Sequence, residues 1–239
     1  MQVEHFEIAQ RFRGPPRSGN GGYVAGRVAA ALGRTAAVRL KAPPPLQTLL
    51  KLESGDGLAR LLDGDKLIAE GRTATLELQP PPAPSLQQAE AAVPAFRGFR
   101  SHIFPGCFVC GPEREQADGL RIFPGALDGS EVVAAPWTPD ASLGDESGGV
   151  KHEFLWAALD CTSAFAVMDL PDGLAIVLGE LAVDITGSLS VDQPCIAQGW
   201  PIGAEGRKRF AGSALYTPEG QPVAVARAVW VEVPLSTWG

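Results

Sequence analysis

The sequence predicts an α+β fold built twice over, each unit an antiparallel sheet wrapped around a long central helix. Three observations predict it. A glycine-bearing turn runs into an apolar segment of helical length, and strand-like segments follow it. That order occurs twice along the chain, as a duplicated unit would require. The second apolar segment, residues 153–168 (EFLWAALDCTSAFAVM), is apolar nearly all round and must be buried on most faces. A long antiparallel sheet packed about it would achieve that burial.

The first unit opens at Ser18-Gly19-Asn20-Gly21-Gly22. Asn20 is placed to cap the following segment, YVAGRVAAALG, and Gly33 to stop it, so a helix is expected over 21–33. Residues 36–46 read as a strand, and 49–78 as further strands joined by Gly/Asp turns. In the second unit, Gly148-Gly149-Val150-Lys151-His152 leads into a helix expected over 152–168, which Pro171-Asp172-Gly173 breaks. Strands are expected at 174–189, 194–203, 207–217 and 223–235. The last two are joined by a hairpin turn, Thr217-Pro218-Glu219-Gly220. Between the units, 79–99 is Pro-rich with little apolar periodicity and reads as a linker. The expected organisation is therefore a unit over 1–78, a linker over 79–99 and a unit over 100–239.

Composition narrows the function. The chain has 239 residues, 45% of them hydrophobic, enough for a core of ordinary globular type. A formal net charge of -7 repels phosphate backbones, so no nucleic-acid partner is expected. No apolar run approaches the ~20 residues that span a bilayer. The N-terminal residues carry no apolar stretch of secretory type, so a cytoplasmic location is expected. The four cysteines are then expected to be reduced. No phosphate-binding loop, dinucleotide fingerprint, nucleophile elbow or paired-histidine metal motif is present.

Asp160 is the most informative residue. An ionised carboxylate in mid-helix among apolar neighbours is costly unless paired or functional, and burial would raise its pKa towards that of a usable base. Gly21 and Gly22 are its complement. Amides at a helix N-terminus point outward at the positive end of the dipole, and glycine permits close approach of a ligand.

Three stretches carry a resemblance to a known family. Asn20-Gly21-Gly22-Tyr23-Val24-Ala25 is similar to the glycine turn that opens the helix of acyl-CoA thioesterases with the hotdog fold. Leu159-Asp160 resembles the helix carboxylate of the phenylacetate-pathway group. Cys107-Phe108-Val109-Cys110-Gly111, with Gly119-Leu120, is similar to a segment preceding the hotdog unit in some members of that group. The chain thus resembles the hotdog thioesterase superfamily in its double-hotdog form. The resemblance implies hydrolysis of an acyl-CoA at a composite site, with the helix-end amides from one unit and the carboxylate from the other. Asp160 would be base or nucleophile, the Gly21 and Gly22 amides oxyanion donors, and Asn20 a residue fixing the turn or touching the substrate carbonyl. No cofactor and no metal is implied, coenzyme A being part of the substrate. Sheet pairing between chains makes a homodimer the default partner.

The two halves differ. With Gly21-Gly22 matched to Lys151-His152, Asp160 falls opposite Ala30, so one composite site would be intact and the other decayed. Further candidates for substrate contact are Thr162 and Ser163 beside Asp160, Glu180 on the next strand, and His152 about two helical turns before Asp160. The basic run Arg207-Lys208-Arg209 is a candidate for the coenzyme A phosphates. Cys107 and Cys110 form a CxxC pair. A structural zinc site needs about four ligands, and Cys161, Cys195 and the three histidines show no ligand spacing, so the pair reads as packing or turn structure. His102-Ile103-Phe104-Pro105-Gly106 resembles the His-Phe-Pro-Gly segment of hotdog dehydratases. It supplies a second hypothesis, dehydration or hydration of acyl thioesters; a non-catalytic acyl-CoA-binding protein is a third.

Overall fold

The computed structural model describes residues 1–238. The first half runs β1 (Gln2–Glu7), α1 (Gly21–Ala29), β2 (Thr35–Leu40), β3 (Leu49–Gly55), β4 (Leu58–Asp63) and β5 (Lys66–Thr73). A short helix α2 (Leu86–Ala92) and a long irregular stretch follow, then β6 (Gly125–Ala126) and β7 (Val133–Trp137). The second half continues with α3 (His152–Phe165), β8 (Leu174–Ile185), β9 (Cys195–Glu205), β10 (Lys208–Tyr216) and β11 (Pro222–Pro234).

All eleven strands form one antiparallel sheet in the order β1-β3-β4-β5-β2-β8-β11-β10-β9-β7-β6. Read outward from the β2/β8 seam, the left side is β2-β5-β4-β3-β1 and the right side β8-β11-β10-β9-β7. Each side repeats the other: the strand after its helix lies innermost and the strand before its helix lies near or at the edge. The duplication inferred from the sequence is thus present as topology. The seam pairs Val38 with Leu181 and Ala36 with Val183, buried residues that continue the core from one half into the other. Both halves share one hydrophobic cluster.

Local chemistry explains the elements. The β3/β4 turn places Asp56 (φ 51°) and Gly57 (φ 73°) in succession at positive φ, the geometry of a tight two-residue hairpin that Asp-Gly adopts readily. Helix α1 ends at Ala29, short of the expected Gly33, which lies past it at φ 95°. Helix α3 buries every residue from Phe154 to Phe165, as an all-round apolar helix must.

The Pro-rich segment departs from the linker expectation. Ser85 and Gln88 form a reciprocal capping box that starts α2. Ala89 and Ala92 of that helix are buried, and Phe96 is fully inside the main core. Gln198 Nε2 donates to Pro82 O at 3.0 Å, pinning the stretch to the outer face of the sheet. Low apolar periodicity concealed an element held by a few small contacts. Residues 119–124 form no strand of the sheet; the Leu120 and Ile122 amides donate to Phe108 O and Val109 O.

Candidate active site

The two helices cross with no room between them. A β-carbon at Gly22 would collide with Asp160 Cβ and lie 2.7 Å from Trp156 O; one at Gly26 would lie 2.5 Å from Glu153 Cα. Gly22 and Gly26 are four residues apart on one face of α1, so together they let the backbone of α3 approach. Glycine at position 22 therefore serves helix packing as well as the turn. Gly26 was not singled out in the sequence, although its spacing from Gly22 was visible there.

That approach brings the halves together chemically. Asn20 caps α1: its Oδ1 accepts from the Tyr23 amide at 2.9 Å. Its Nδ2 is then free to donate to Asp160 Oδ2 at 3.1 Å. The Gly22 amide donates to the same Oδ2 at 2.9 Å. Asp160 is only 2% exposed, and its Oδ1 is buried with no hydrogen-bond partner among the described residues. Burial pushes the Asp160 carboxyl up to about 7; the Gly22 amide and Asn20 pull the other way, and the neighbouring Cys107 adds to the rise.

One expectation is thereby corrected. The Gly22 amide is occupied by the carboxylate and does not point unpaired into the site. Gly21 lines the cavity described below, and its amide has no partner among the described residues. The matching of the halves also shifts by one residue. The N-caps are Asn20 and Lys151, which puts Ala29, not Ala30, opposite Asp160. Lys151 makes no side-chain cap bond, and Ala29 carries no charge. The second helix end thus lacks both parts of the arrangement.

Asp160 lines a cavity of about 940 Å³, a size that suits a small-molecule ligand. Its wall is largely apolar, with Leu178 of β8 and Ala164 and Phe165 of α3. Lys41, Arg97 and Arg100 line its solvent side, Arg97 and Arg100 being exposed. His102 also lines it. Its Nδ1 accepts from the Phe104 amide at 3.1 Å, and burial holds its imidazole below the usual range.

Several sequence candidates lie elsewhere. Arg207, Lys208 and Arg209 sit on the β9/β10 hairpin, outside the cavity lining, and Arg209 pairs with Glu232 at 2.6 Å. A hairpin end in an acidic protein gathers charge for solvation, and here that is its setting. Glu180 bonds Arg39 across the β2/β8 seam at 2.7 Å and is not in the cavity wall. Thr162 Oγ1 donates to Ala158 O at 2.7 Å, satisfying itself within the helix. Ser163 Oγ donates to Asp160 O at 2.7 Å and accepts from Trp230 Nε1 at 2.9 Å. Both hydroxyls are buried packing groups outside the cavity lining. His152 is exposed at the first turn of α3.

The cysteine pair acquires a neighbour that spacing did not show. Cys161, next to Asp160 on α3, places its Sγ 3.8 Å from that of Cys107. Hydrogen bonding from the Cys110 and Cys161 thiols holds the Cys107 thiol well below its usual range, while the other two are pushed up.

No family model matches the chain. No curated protein matches it either. Solved structures do. A candidate thioesterase of Novosphingobium aromaticivorans superposes with a TM-score of 0.63 at 12% identity, over 96% of this chain and 94% of that one. The tesB protein of Mycobacterium avium subspecies paratuberculosis gives 0.62 at 12% identity, over 97% and 93%. A protein of unknown function with the hot dog fold, from Alicyclobacillus acidocaldarius, gives 0.62 at 11% identity, over 97% and 93%. Full-length superposition at such low identity speaks to architecture, and it agrees with the repeated strand order about the seam: the chain has the hotdog fold, carried twice in one polypeptide.

Proposed function

We propose that the protein hydrolyses an acyl-CoA thioester at the single site where Asp160 meets the N-terminus of α1. The observation that carries this reading is the carboxylate itself. It is buried in the wall of a largely apolar cavity, one oxygen held by Gly22 and Asn20 and the other without a partner among the described residues. A carboxylate fixed through one oxygen presents the other as a proton acceptor. In this reading the acyl chain occupies the apolar cavity and the thioester carbonyl lies by the Gly21 amide, at the positive end of the helix dipole. Asp160 takes a proton from a water as that water attacks the carbonyl carbon. The tetrahedral intermediate collapses, the C–S bond breaks, and the proton passes to the departing coenzyme A sulfur. The thioesterase designation of one of the full-length structural neighbours agrees with this chemistry.

The direct test is to incubate the purified chain with acyl-CoAs of graded length and measure free coenzyme A. Release that depends on Asp160 supports the proposal. Tight binding without release would make the protein a carrier, and hydration of an enoyl-CoA would make it a hydratase. Oxygen-18 water in a single turnover is expected to label only the acid product; label in Asp160 would make that residue a nucleophile instead.

In this reading the coenzyme A phosphates are met by Arg97 and Arg100 rather than by the basic run at 207–209. Arg97 and Arg100 stand on the solvent side of the cavity, whereas Arg207 and Arg209 do not line it. Changing both Arg97 and Arg100 to Ala is expected to raise KM for acyl-CoA about tenfold, since each exposed phosphate contact contributes roughly 1 kcal/mol or less. KM for the matching pantetheine thioester, which lacks the nucleotide phosphates, should stay nearly unchanged. Equal effects on both substrates would place the phosphates elsewhere.

A further inference from the structure

Beside the carboxylate, the structure gathers three thiols from distant parts of the chain. The Sγ atoms of Cys107, Cys110 and Cys161 are buried and all lie within 4.8 Å of one another. Cys107 and Cys161 are 3.8 Å apart at sulfur, and none of the three is in a disulfide. A tetrahedral zinc ion with Zn–S bonds of ~2.3 Å holds its sulfurs about 3.8 Å apart. We propose that Cys107, Cys110 and Cys161 form a site for one soft divalent cation of the zinc class, with its fourth position open to the cavity.

The surroundings are built for such a site. The Gly111 amide donates to Cys107 O at 3.0 Å, closing a turn that brings both CxxC sulfurs together. A β-carbon at Gly111 would lie 2.5 Å from Cys107 O and would also collide with Pro105 O, so the turn closes only with glycine there. The turn is fixed to the rest of the molecule: the Phe108 amide donates to Arg13 O at 2.8 Å, and Leu120 N–H to Phe108 O at 2.8 Å. The third sulfur comes from the rigid, wholly buried part of α3.

Asn20 Nδ2 lies 3.7 Å from Cys161 Sγ and 4.0 Å from Cys107 Sγ, where an amide N–H suits anionic sulfur acceptors. All three cysteines line the cavity. No histidine or carboxylate joins the cluster among the described residues. Three protein ligands with a fourth position reachable from a ligand cavity is the pattern of reactive rather than purely structural zinc sites. Cysteine thiolates select soft metals over magnesium or calcium. Binding exchanges three S–H bonds for three metal–sulfur bonds, releases three protons to the buffer and moves no electrons; a water completes the coordination.

Metal content decides the matter without any turnover, so its failure and that of the hydrolytic reading are separate results. The full chain, purified under reductant and without chelator, is expected to carry close to one zinc by elemental analysis. Stripped and titrated with Co²⁺, it should develop a thiolate-to-cobalt charge-transfer band in the near ultraviolet that saturates at one ion per chain. Cys110→Ser and Cys161→Ser should each lose roughly a third or more of that band. Cys195→Ser should keep all of it, since Cys195 lies apart and donates to Trp137 O at 3.1 Å. The wild-type titration is decisive even if a variant fails to fold. A reduced wild-type chain that gives no such band overturns the proposal. So does a disulfide among the three cysteines in protein kept under reductant.

Discussion

Asp160→Asn is expected to lower kcat for acyl-CoA hydrolysis ~10²–10⁴-fold while substrate binding persists. The substitution tests chemistry rather than folding. An amide oxygen in place of Oδ2 can still accept from the Gly22 amide and from Asn20, so the helix contact is retained. What disappears is the proton acceptor. The wild-type carboxylate is almost wholly buried with one oxygen unpartnered, an arrangement that costs free energy. The variant should therefore melt at the same temperature as wild type or higher. Loss of activity with stability kept would identify a group retained for function at the expense of stability. Full activity in the folded variant would end the proposed mechanism and turn attention to His102, whose imidazole lines the same cavity.

Gly22→Ala should strongly disrupt the contact between α1 and α3. Its β-carbon meets Asp160 Cβ and lies 2.7 Å from the Trp156 carbonyl and 3.0 Å from Ala157 Cα, all on or beside the backbone of a buried helix that cannot swing aside. Overpacking of this kind costs about 1–3 kcal/mol. For a chain of this size each kcal/mol lowers Tm by roughly 2–4 °C. The helices must separate, so the 2.9 Å bond from the Gly22 amide to Asp160 should lengthen and kcat fall as well. Gly21→Ala is the internal comparison. Its β-carbon would lie 3.0–3.1 Å from side-chain atoms of Leu178 and Leu40, which can shift a few tenths of an ångström. Thermal melts and kinetics of the two variants side by side check the claim; equal effects would mean that the close approach at Gly22 is not what holds the site.

Much of the fold was legible because it rests on local signals. Asn20 before two glycines marks a helix start, the all-round apolar α3 marks an enclosed helix, and Asp56-Gly57 and Gly220 mark turns. Asp160 was legible as a candidate because a charge inside an apolar helix conflicts with burial. The errors have a common physical origin. Whether Glu180, Ser163 or Arg209 faces a ligand or another part of the fold depends on tertiary partners, which are Arg39, Trp230 and Glu232, while Thr162 is satisfied locally by Ala158 O one turn back in α3. Cys161 joins Cys107 across 54 positions of sequence, a meeting that no local spacing announces. Helix α2 is the exception. Ser85 and Gln88 were a readable capping box, masked by the prolines around them.

The seam between β2 and β8 bears on how the site responds to dilution. Gly22 and Asp160 come from opposite sides of it, yet one covalent chain holds both. A site shared between separate subunits falls apart when the protein concentration drops below the dissociation constant of the pair. Here the two contributions meet intramolecularly, at an effective concentration set by the intervening chain. That chain is docked on the sheet through Gln198 and buried at Phe96, which restricts its freedom further. Specific activity per chain therefore has no threshold concentration arising from the encounter of the two halves.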